Sequence, residues 1–107
     1  MIIRLALFEG KVAAERAAEF REQVQSRLTP LWLRFPGVRQ VQVLFTLERD
    51  PGVTEVALAL SMSFDSQDAL DAALASEVRA ESTVESLALI AAFDLRVVHY
   101  VFEQANA

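Results

Sequence analysis

The sequence predicts an α+β domain in which two helices cover one face of a four-stranded antiparallel sheet. Three observations predict this class. Short apolar runs typical of strands occur at the start of the chain, twice in the middle and at the end. Amphipathic segments with three- and four-residue apolar spacing separate the first run from the second and the third from the fourth. A turn signal, RDPGV, joins the two middle runs.

The first strand and the first helix account for the N-terminal third of the chain. Ile2–Phe8 is predicted as a strand, and from Val12 the apolar positions follow helical spacing. We expect this helix to continue to about Phe35 with a kink at Pro30, and to end at Pro36–Gly37 because proline disfavours helical geometry in the preceding residue. Its expected inward residues are Ala17, Phe20, Val24, Leu28, Leu31 and Phe35.

The middle of the chain is predicted as an antiparallel hairpin of strands Val38–Arg49 and Thr54–Phe64. On the first of these strands, one face is expected to carry Val41, Val43, Phe45 and Leu47, and the other Gln40, Gln42, Leu44 and Thr46.

A second helical region is expected to begin with Asp65 as N-cap, and Ser76 is expected to interrupt it. The predicted inward residues are Leu70, Ala73 and Leu74 before the interruption, and Val84, Leu87, Ala88 and Ala91 after it. Leu95–Glu103 is predicted as the last strand. The resulting order, β-α-β-β-α-β, is that of the ferredoxin-like fold.

Composition restricts the function classes. At 107 residues, the whole of 1–107 is expected to form a single domain. A net charge of −5 with scattered basic residues disfavours nucleic-acid binding, and the absence of cysteine excludes disulfides and thiolate chemistry. No signal peptide or membrane span is visible, so we expect a cytoplasmic protein without membrane partners.

The predicted sheet has apolar residues on both faces, although two helices can cover only one of them. Alternate positions of the first, third and fourth strands are apolar on either side. An uncovered apolar face of that size is rare in monomers, so we expect a homodimer that packs sheet against sheet.

Four stretches of the sequence carry a resemblance to a known family: MIIRLALF, LTPLWLRFPGVRQVQV, ERDPGV and FDLRVVHYVFE. With the predicted topology, they resemble the dimeric α/β-barrel superfamily, and within it the EthD-like proteins most closely. The resemblance implies a sheet-to-sheet dimeric barrel. Its members include cofactor-free monooxygenases, small isomerases, haem-degrading enzymes and stress-response proteins. A His-Ala-Pro-Leu-like motif is frequent in these proteins, whereas Leu28 occupies the histidine position here.

His99 is the candidate catalytic residue, because it is the single histidine and its ordinary pKa suits proton transfer near neutrality. It is either a hydrogen-bonded structural residue or a proton shuttle that lines the barrel cavity. Arg4 is unusual inside a strand and needs a partner if it is buried. It is either structural or one polar group of an apolar pocket.

Other candidate ligand-binding residues are Trp32, Gln42, Arg96 and Tyr100. Trp32 is a packing residue or a pocket wall, and Gln42 is a structural polar residue or a pocket group. Tyr100 and Arg96 share the strand face opposite to His99, so His99 and Tyr100 are not expected to line the same cavity. Tyr100 and Arg96 are either a packed aromatic residue and a rim cation, or residues that contact a small acidic or phenolic ligand.

The sequence leaves two functions open, and neither is expected to need a cofactor or a metal. One is a homodimeric small-molecule-binding or accessory protein of a catabolic or biosynthetic pathway. The other is a cofactor-free monooxygenase or isomerase acting on an aromatic or polyketide-like substrate. Leu28 in place of the histidine favours the first function, and the resemblance keeps the second open.

Overall fold

The computed structural model describes residues 1–106, and it has the predicted ferredoxin-like α+β fold. Four strands form one sheet in which every neighbouring pair is antiparallel and the order is β2-β3-β1-β4. Their bounds are β1 Ile2–Glu9, β2 Gln40–Phe45, β3 Val56–Phe64 and β4 Arg96–Glu103. The helices connect β1 to β2 and β3 to β4.

The first helical region contains a π-helical turn. A 3₁₀ turn at Ala14–Arg16 leads into α1 (Ala17–Gln23), the π-helical turn (Val24–Leu28) and α2 (Thr29–Leu33). The turn comes directly before Pro30, where the sequence predicted a kink. In a π-helical turn the hydrogen bonds reach five residues back instead of four, which adds one residue to the turn.

This extra residue changes which side chain faces the sheet in α2. Trp32 is 2% exposed, whereas Leu31, which was expected to face inward, is only partly buried. Phe20, Val24, Leu28 and Phe35 are buried as predicted. The helix ends at Leu33, two residues before the expected Phe35, and the chain turns through Gly37 with a φ of +73°.

The second helical region consists of α3 (Gln67–Leu74) and α4 (Glu77–Phe93), separated at Ser76 as predicted. The N-cap of α3 is Ser66, not Asp65: the hydroxyl of Ser66 accepts a hydrogen bond from the Ala69 amide at 3.1 Å. Asp65 instead accepts hydrogen bonds from Arg39, the shortest at 2.6 Å. Asp65 and Ser66 are adjacent, and both are residue types that cap helices. Because the carboxylate of Asp65 pairs with Arg39, Ser66 caps α3.

The predicted inward face of α4 is wrong. Val84 and Leu87 are exposed, at 67% and 60%, and Ala88 and Ala91 are exposed as well. The buried residues of this helix are Val78, Ser82, Leu89 and Phe93. Apolar residues lie on all sides of α4, so more than one set of them has helical spacing. The prediction chose an exposed set instead of the buried one.

Strand β2 is shorter than predicted. It pairs with β3 only as far as Phe45, which is opposite Leu58, and the segment up to Arg49 is not part of the sheet. Leu47, expected to continue the apolar face, is 91% exposed. Within β2 the predicted alternation holds, because Val41, Val43 and Phe45 are partly buried and Gln40, Gln42 and Leu44 are exposed.

The core lies between the helices and one face of the sheet. Phe20 of α1 connects the two layers, since its ring makes edge contacts with Phe45 and Phe93 at centroid distances of 6.1 and 5.1 Å. The helix-covered face carries the even-numbered residues of β1, among them Ala6 and Phe8. Within residues 1–106, no helix combines the length and apolar character needed to span a membrane.

The opposite face of the sheet has no covering layer in the single chain. It carries apolar side chains from all four strands. They are Ile3, Leu5, Leu7, Leu44, Ala57, Ala59, Val98, Tyr100 and Phe102. We call this surface the open sheet face.

Candidate ligand-binding cavity

A cavity of about 110 Å³ lies between the helix-covered face of the sheet and the helices α2 and α4. We call it the sheet–helix cavity. Its lining combines aromatic and aliphatic side chains with three basic groups and three hydroxyls. The lining residues are Arg4, Ala6, Phe8, Trp32, Phe35, Leu60, Arg79, Ser82, Thr83, Ser86, Leu87, Ile90, Val97 and His99.

The apolar wall of the cavity is positioned by the core. Phe8 and Trp32 are each 2% exposed, and their ring centroids are 6.5 Å apart with an interplanar angle of 51°. Phe35 follows in the turn after α2 and is also buried. The π-helical turn therefore contributes to the site, because it brings the indole of Trp32 to the inward face of α2.

The basic groups of the cavity come from three different elements. Arg4 lies on β1, Arg79 on the first turns of α4 and His99 on β4. In the register of the sheet, Ala6 is directly opposite His99, so Arg4 and His99 are close neighbours on the same face. Arg4 and Arg79 are partly buried, while His99 is more exposed and stands where the cavity opens to solvent.

The environment disfavours additional positive charge in the cavity. Burial lowers the pKa of Arg4, and the charge of Arg79 lowers it further. The pKa of His99 is also lowered, first by desolvation and then by the charges of Arg4 and Arg79. His99 is therefore neutral at pH 7, with a nitrogen free to accept a proton.

The hydroxyls on the cavity side of α4 belong to Ser82, Thr83 and Ser86. Ser82 and Thr83 both donate to the carbonyl oxygen of Arg79, at 2.8 and 3.0 Å. Because these two hydroxyls have an acceptor in their own helix, polar residues are tolerated on the inward face of α4. This explains why the apolar pattern did not reveal that face.

The structure brings together three of the predicted site residues and separates the other three. Arg4, Trp32 and His99 line the sheet–helix cavity. Gln42 and Tyr100 lie on the open sheet face, and Tyr100 stacks on Phe102 there at 5.9 Å. Arg96 lies at the start of β4, where it donates a hydrogen bond to Glu9 at 3.2 Å. The face of β4 that carries His99 is thus the face that lines the cavity.

Arg79 was not predicted from the sequence. It lies three and four residues before Ser82 and Thr83, and this spacing places the arginine and the hydroxyls on one side of a helix. Leu28, where the resemblance implied a histidine, is 1% exposed and belongs to the core. In residues 1–106 no group of three or more histidine, cysteine, aspartate or glutamate side chains is placed to bind a metal ion.

A wider groove of about 260 Å³ lies near the end of the β2–β3 hairpin, and three of its five charged residues are already engaged. Arg49 pairs with Glu55 at 3.5 Å, and the guanidinium of Arg21 lies 4.7 Å from the centre of the Phe45 ring. The groove is also more open to solvent. The sheet–helix cavity is therefore the better candidate for a specific site.

Comparisons with known proteins identify the fold. An ethyl tert-butyl ether degradation (EthD) family protein from Bacillus halodurans superimposes with a TM-score of 0.71 at 20% identity, covering 98% of this chain and 99% of the other. A variant of SnoaB, a cofactor-independent oxygenase from Streptomyces nogalater, superimposes with a TM-score of 0.65 at 24% identity, covering 99% and 94%. A dimeric protein of unknown function and ferredoxin-like fold from Bacteroides fragilis gives 0.62 at 19% identity, covering 94% and 95%.

No protein-family model matches the sequence, and no curated protein matches it significantly. The similarity is therefore one of structure at low sequence identity, over almost the full length of both chains. This chain has the ferredoxin-like fold that these three structures share.

Proposed function

We propose that this protein binds a small organic molecule in the sheet–helix cavity and acts as a homodimer in a catabolic or biosynthetic pathway. One observation carries the proposal: Arg4, Arg79 and His99, from three separate elements, meet at a cavity whose other walls are mostly apolar. Mostly apolar pockets with a few convergent polar groups are typical of ligand sites.

The homodimer is supported by the open sheet face. Tyr100 and Phe102 are each about half exposed in the single chain, and they adjoin Leu5 and Ile3 on β1. Packing this face against a second copy removes a large apolar surface from water. The protein of the same fold from Bacteroides fragilis is dimeric, which agrees with this arrangement.

Ligand binding is tested by filling the cavity. Ser86 lines it, so Ser86→Phe places a ring in a space of about 110 Å³. Ala91→Phe is the matched control, because Ala91 is exposed on the same helix. Phenol and benzamide are screened by thermal shift and calorimetry. We expect wild type and Ala91→Phe to bind, and Ser86→Phe to lose binding. Equal binding by all three proteins contradicts the proposal.

A second candidate function is a cofactor-free oxygenase, favoured by the likeness to SnoaB and by a neutral His99 beside two cations. In this reaction His99 accepts the hydroxyl proton of a phenol, and the O–H electron pair remains on the phenolate oxygen. The guanidinium groups of Arg4 and Arg79 stabilise that anion, which then transfers one electron to dioxygen as the co-substrate and leaves a phenoxyl radical and superoxide.

Oxygen uptake distinguishes the two functions. An oxygen electrode compares hydroquinone-type phenols with wild type, His99→Gln and buffer alone. Uptake above the buffer rate that is lost in His99→Gln supports the oxygenase. Ligand binding without uptake supports the binding or accessory role.

A further inference from the structure

We propose that the ligand of the sheet–helix cavity is an organic anion, specifically a monocyclic aromatic carboxylate whose carboxyl group is held by Arg4 and Arg79. This inference rests on the proposed binding function and adds the charge and the size of the ligand. Two observations support it: which arginines have a partner within the chain, and how large the cavity is.

The cavity arginines differ from most others in the chain. Six arginines pair with a carboxylate: Arg16, Arg27, Arg34, Arg39, Arg49 and Arg96. Arg21 stacks on the ring of Phe45. Within residues 1–106, the side chains of Arg4 and Arg79 form neither an ion pair nor a hydrogen bond.

Acidic residues are abundant, yet none lines the cavity. The chain has 15 aspartate and glutamate residues against 10 lysine and arginine residues. The cavity lining contains no carboxylate from β1, β3, β4, α2 or α4. In a protein with a net charge of −5, two arginines without an acidic neighbour form a local positive site that an anion would neutralise.

Energetics favour an anion over a neutral ligand. Partial burial of two cations near each other is unfavourable, and the lowered pKa of Arg4 has these two causes. A carboxylate compensates both guanidinium groups, and charge-assisted hydrogen bonds of this kind are stronger than neutral ones. The planar guanidinium also matches carboxylate geometry.

The apolar wall and the volume specify the rest of the ligand. Phe8, Trp32 and Phe35 provide aromatic surface, which favours an aromatic ring as partner. A cavity of about 150 Å³ is large enough to bind benzene. At about 110 Å³, the sheet–helix cavity is smaller than this and is partly open to solvent, so it leaves no room for more than one ring. This size disfavours the polyketide-like substrate among the alternatives above.

The decisive experiment compares benzoate with benzamide, which has nearly the same shape but no charge. Calorimetry at low ionic strength is done with wild type, Arg79→Gln and Arg27→Gln. Arg27→Gln is the matched control, since its side chain is 67% exposed and its partner Glu85 is 3.9 Å away. We expect wild type and Arg27→Gln to bind benzoate at least about tenfold more tightly than benzamide.

In Arg79→Gln we expect the preference for benzoate to fall to within about threefold while benzamide binding is retained. Circular dichroism verifies that the variant is folded, and Arg4→Gln serves as a second variant of the same site. If both variants fail to fold, the wild-type preference decides, together with its loss as the salt concentration rises.

The outcomes separate this inference from the proposed function. Equal affinity of wild type for benzoate and benzamide overturns the anion inference but leaves ligand binding intact. A benzoate preference unchanged in folded Arg79→Gln overturns it as well. If no aromatic probe binds and Ser86→Phe behaves as wild type, the proposed function itself fails. 2-Naphthoate tests the size: binding as tight as that of benzoate contradicts the one-ring limit.

Discussion

The hydroxyl of Thr29 donates a hydrogen bond to the carbonyl oxygen of Val24, 3.2 Å away and five residues earlier. The backbone N–H of Thr29 donates to the same oxygen. Two donors of one residue thus hold the π-helical turn immediately before Pro30. This turn determines that Trp32, rather than Leu31, faces the sheet–helix cavity.

Replacing Thr29 by valine tests how much the hydroxyl stabilises the turn. Thr29→Val keeps the shape and removes one hydrogen bond of a partly buried group, so we expect the free energy of unfolding to fall by about 0.5–1.5 kcal/mol. Because the carbonyl of Val24 still accepts a hydrogen bond from the backbone N–H of Thr29, we expect the loss of stability to lie near the lower end of this range.

Urea denaturation measures this difference, with Ser26→Ala as control. The hydroxyl of Ser26 donates to the Glu22 carbonyl at 2.7 Å on an exposed part of the same helix. We expect Ser26→Ala to change stability by less than about 0.5 kcal/mol. Because Ser26 lies in the same π-helical turn, equal losses in both variants contradict a special contribution of the Thr29 hydroxyl.

The second prediction concerns Leu28, at the position where the resemblance described from the sequence leads one to expect a histidine. Leu28 is 1% exposed and belongs to the core cluster, so Leu28→His replaces a buried apolar side chain with an imidazole. We expect the variant to lose about 2–4 kcal/mol of stability, from lost apolar burial and the burial of a polar group.

Leu28→Met is the control, since a swap of similar volume costs less than about 1.5 kcal/mol. Urea unfolding curves of both variants give the comparison. A Leu28→His protein as stable as wild type, with the new histidine titrating near its ordinary pKa, contradicts this placement of Leu28 in the core.

Much of the fold was predictable because local signals agree with one another. The strand alternation of β2, the RDPGV turn and the apolar face of β3 from Leu58 to Phe64 all indicate one hairpin, and that hairpin is present. Helical spacing likewise identified Phe20 and Val24 as buried. The order of the elements then leaves few topologies open.

The site was only partly predictable, because tertiary contacts decide it. Arg4, Trp32 and His99 were identified as unusual residues, but their meeting depends on strand register and on the π-helical turn. Arg79 was missed because the inward face of α4 includes Ser82, whose hydroxyl is satisfied within the helix. Periodicity cannot recognise a face on which polar residues are internally hydrogen-bonded.

The third prediction tests the proposed dimer. Phe102 lies on the open sheet face and is 49% exposed in the single chain. Phe102→Glu would bury a carboxylate between two sheets, so we expect the dimer dissociation constant to rise at least about a hundredfold. Size-exclusion chromatography with light scattering at micromolar concentration measures the assembly.

Val84→Glu is the matched control for charge, since Val84 is 67% exposed on the outer side of α4. We expect this variant to remain dimeric. A wild-type protein that is monomeric at micromolar concentration contradicts the dimer. If Val84→Glu and not Phe102→Glu dissociates it, the interface involves the helices instead.

The last prediction concerns pH and follows from the lowered pKa of His99. Desolvation and the charges of Arg4 and Arg79 oppose protonation in the folded state, so the unfolded chain binds a proton at higher pH than the folded one. Stability is therefore unaffected by His99 above its unfolded pKa of about 6.5, and it decreases as pH falls below that value. The residues that β3 and α2 contribute to the cavity are apolar and provide no compensating charge.

His99→Gln removes this dependence. Since all carboxylates are common to both proteins, the difference in unfolding free energy between wild type and variant isolates the histidine. We expect the variant to gain stability relative to wild type as pH falls from about 6.5, until the folded pKa is passed and the difference becomes constant. Urea denaturation at pH 7.5, 6.5, 5.5 and 5.0 measures this difference in unfolding free energy. A difference that is the same at all four pH values contradicts the lowered pKa.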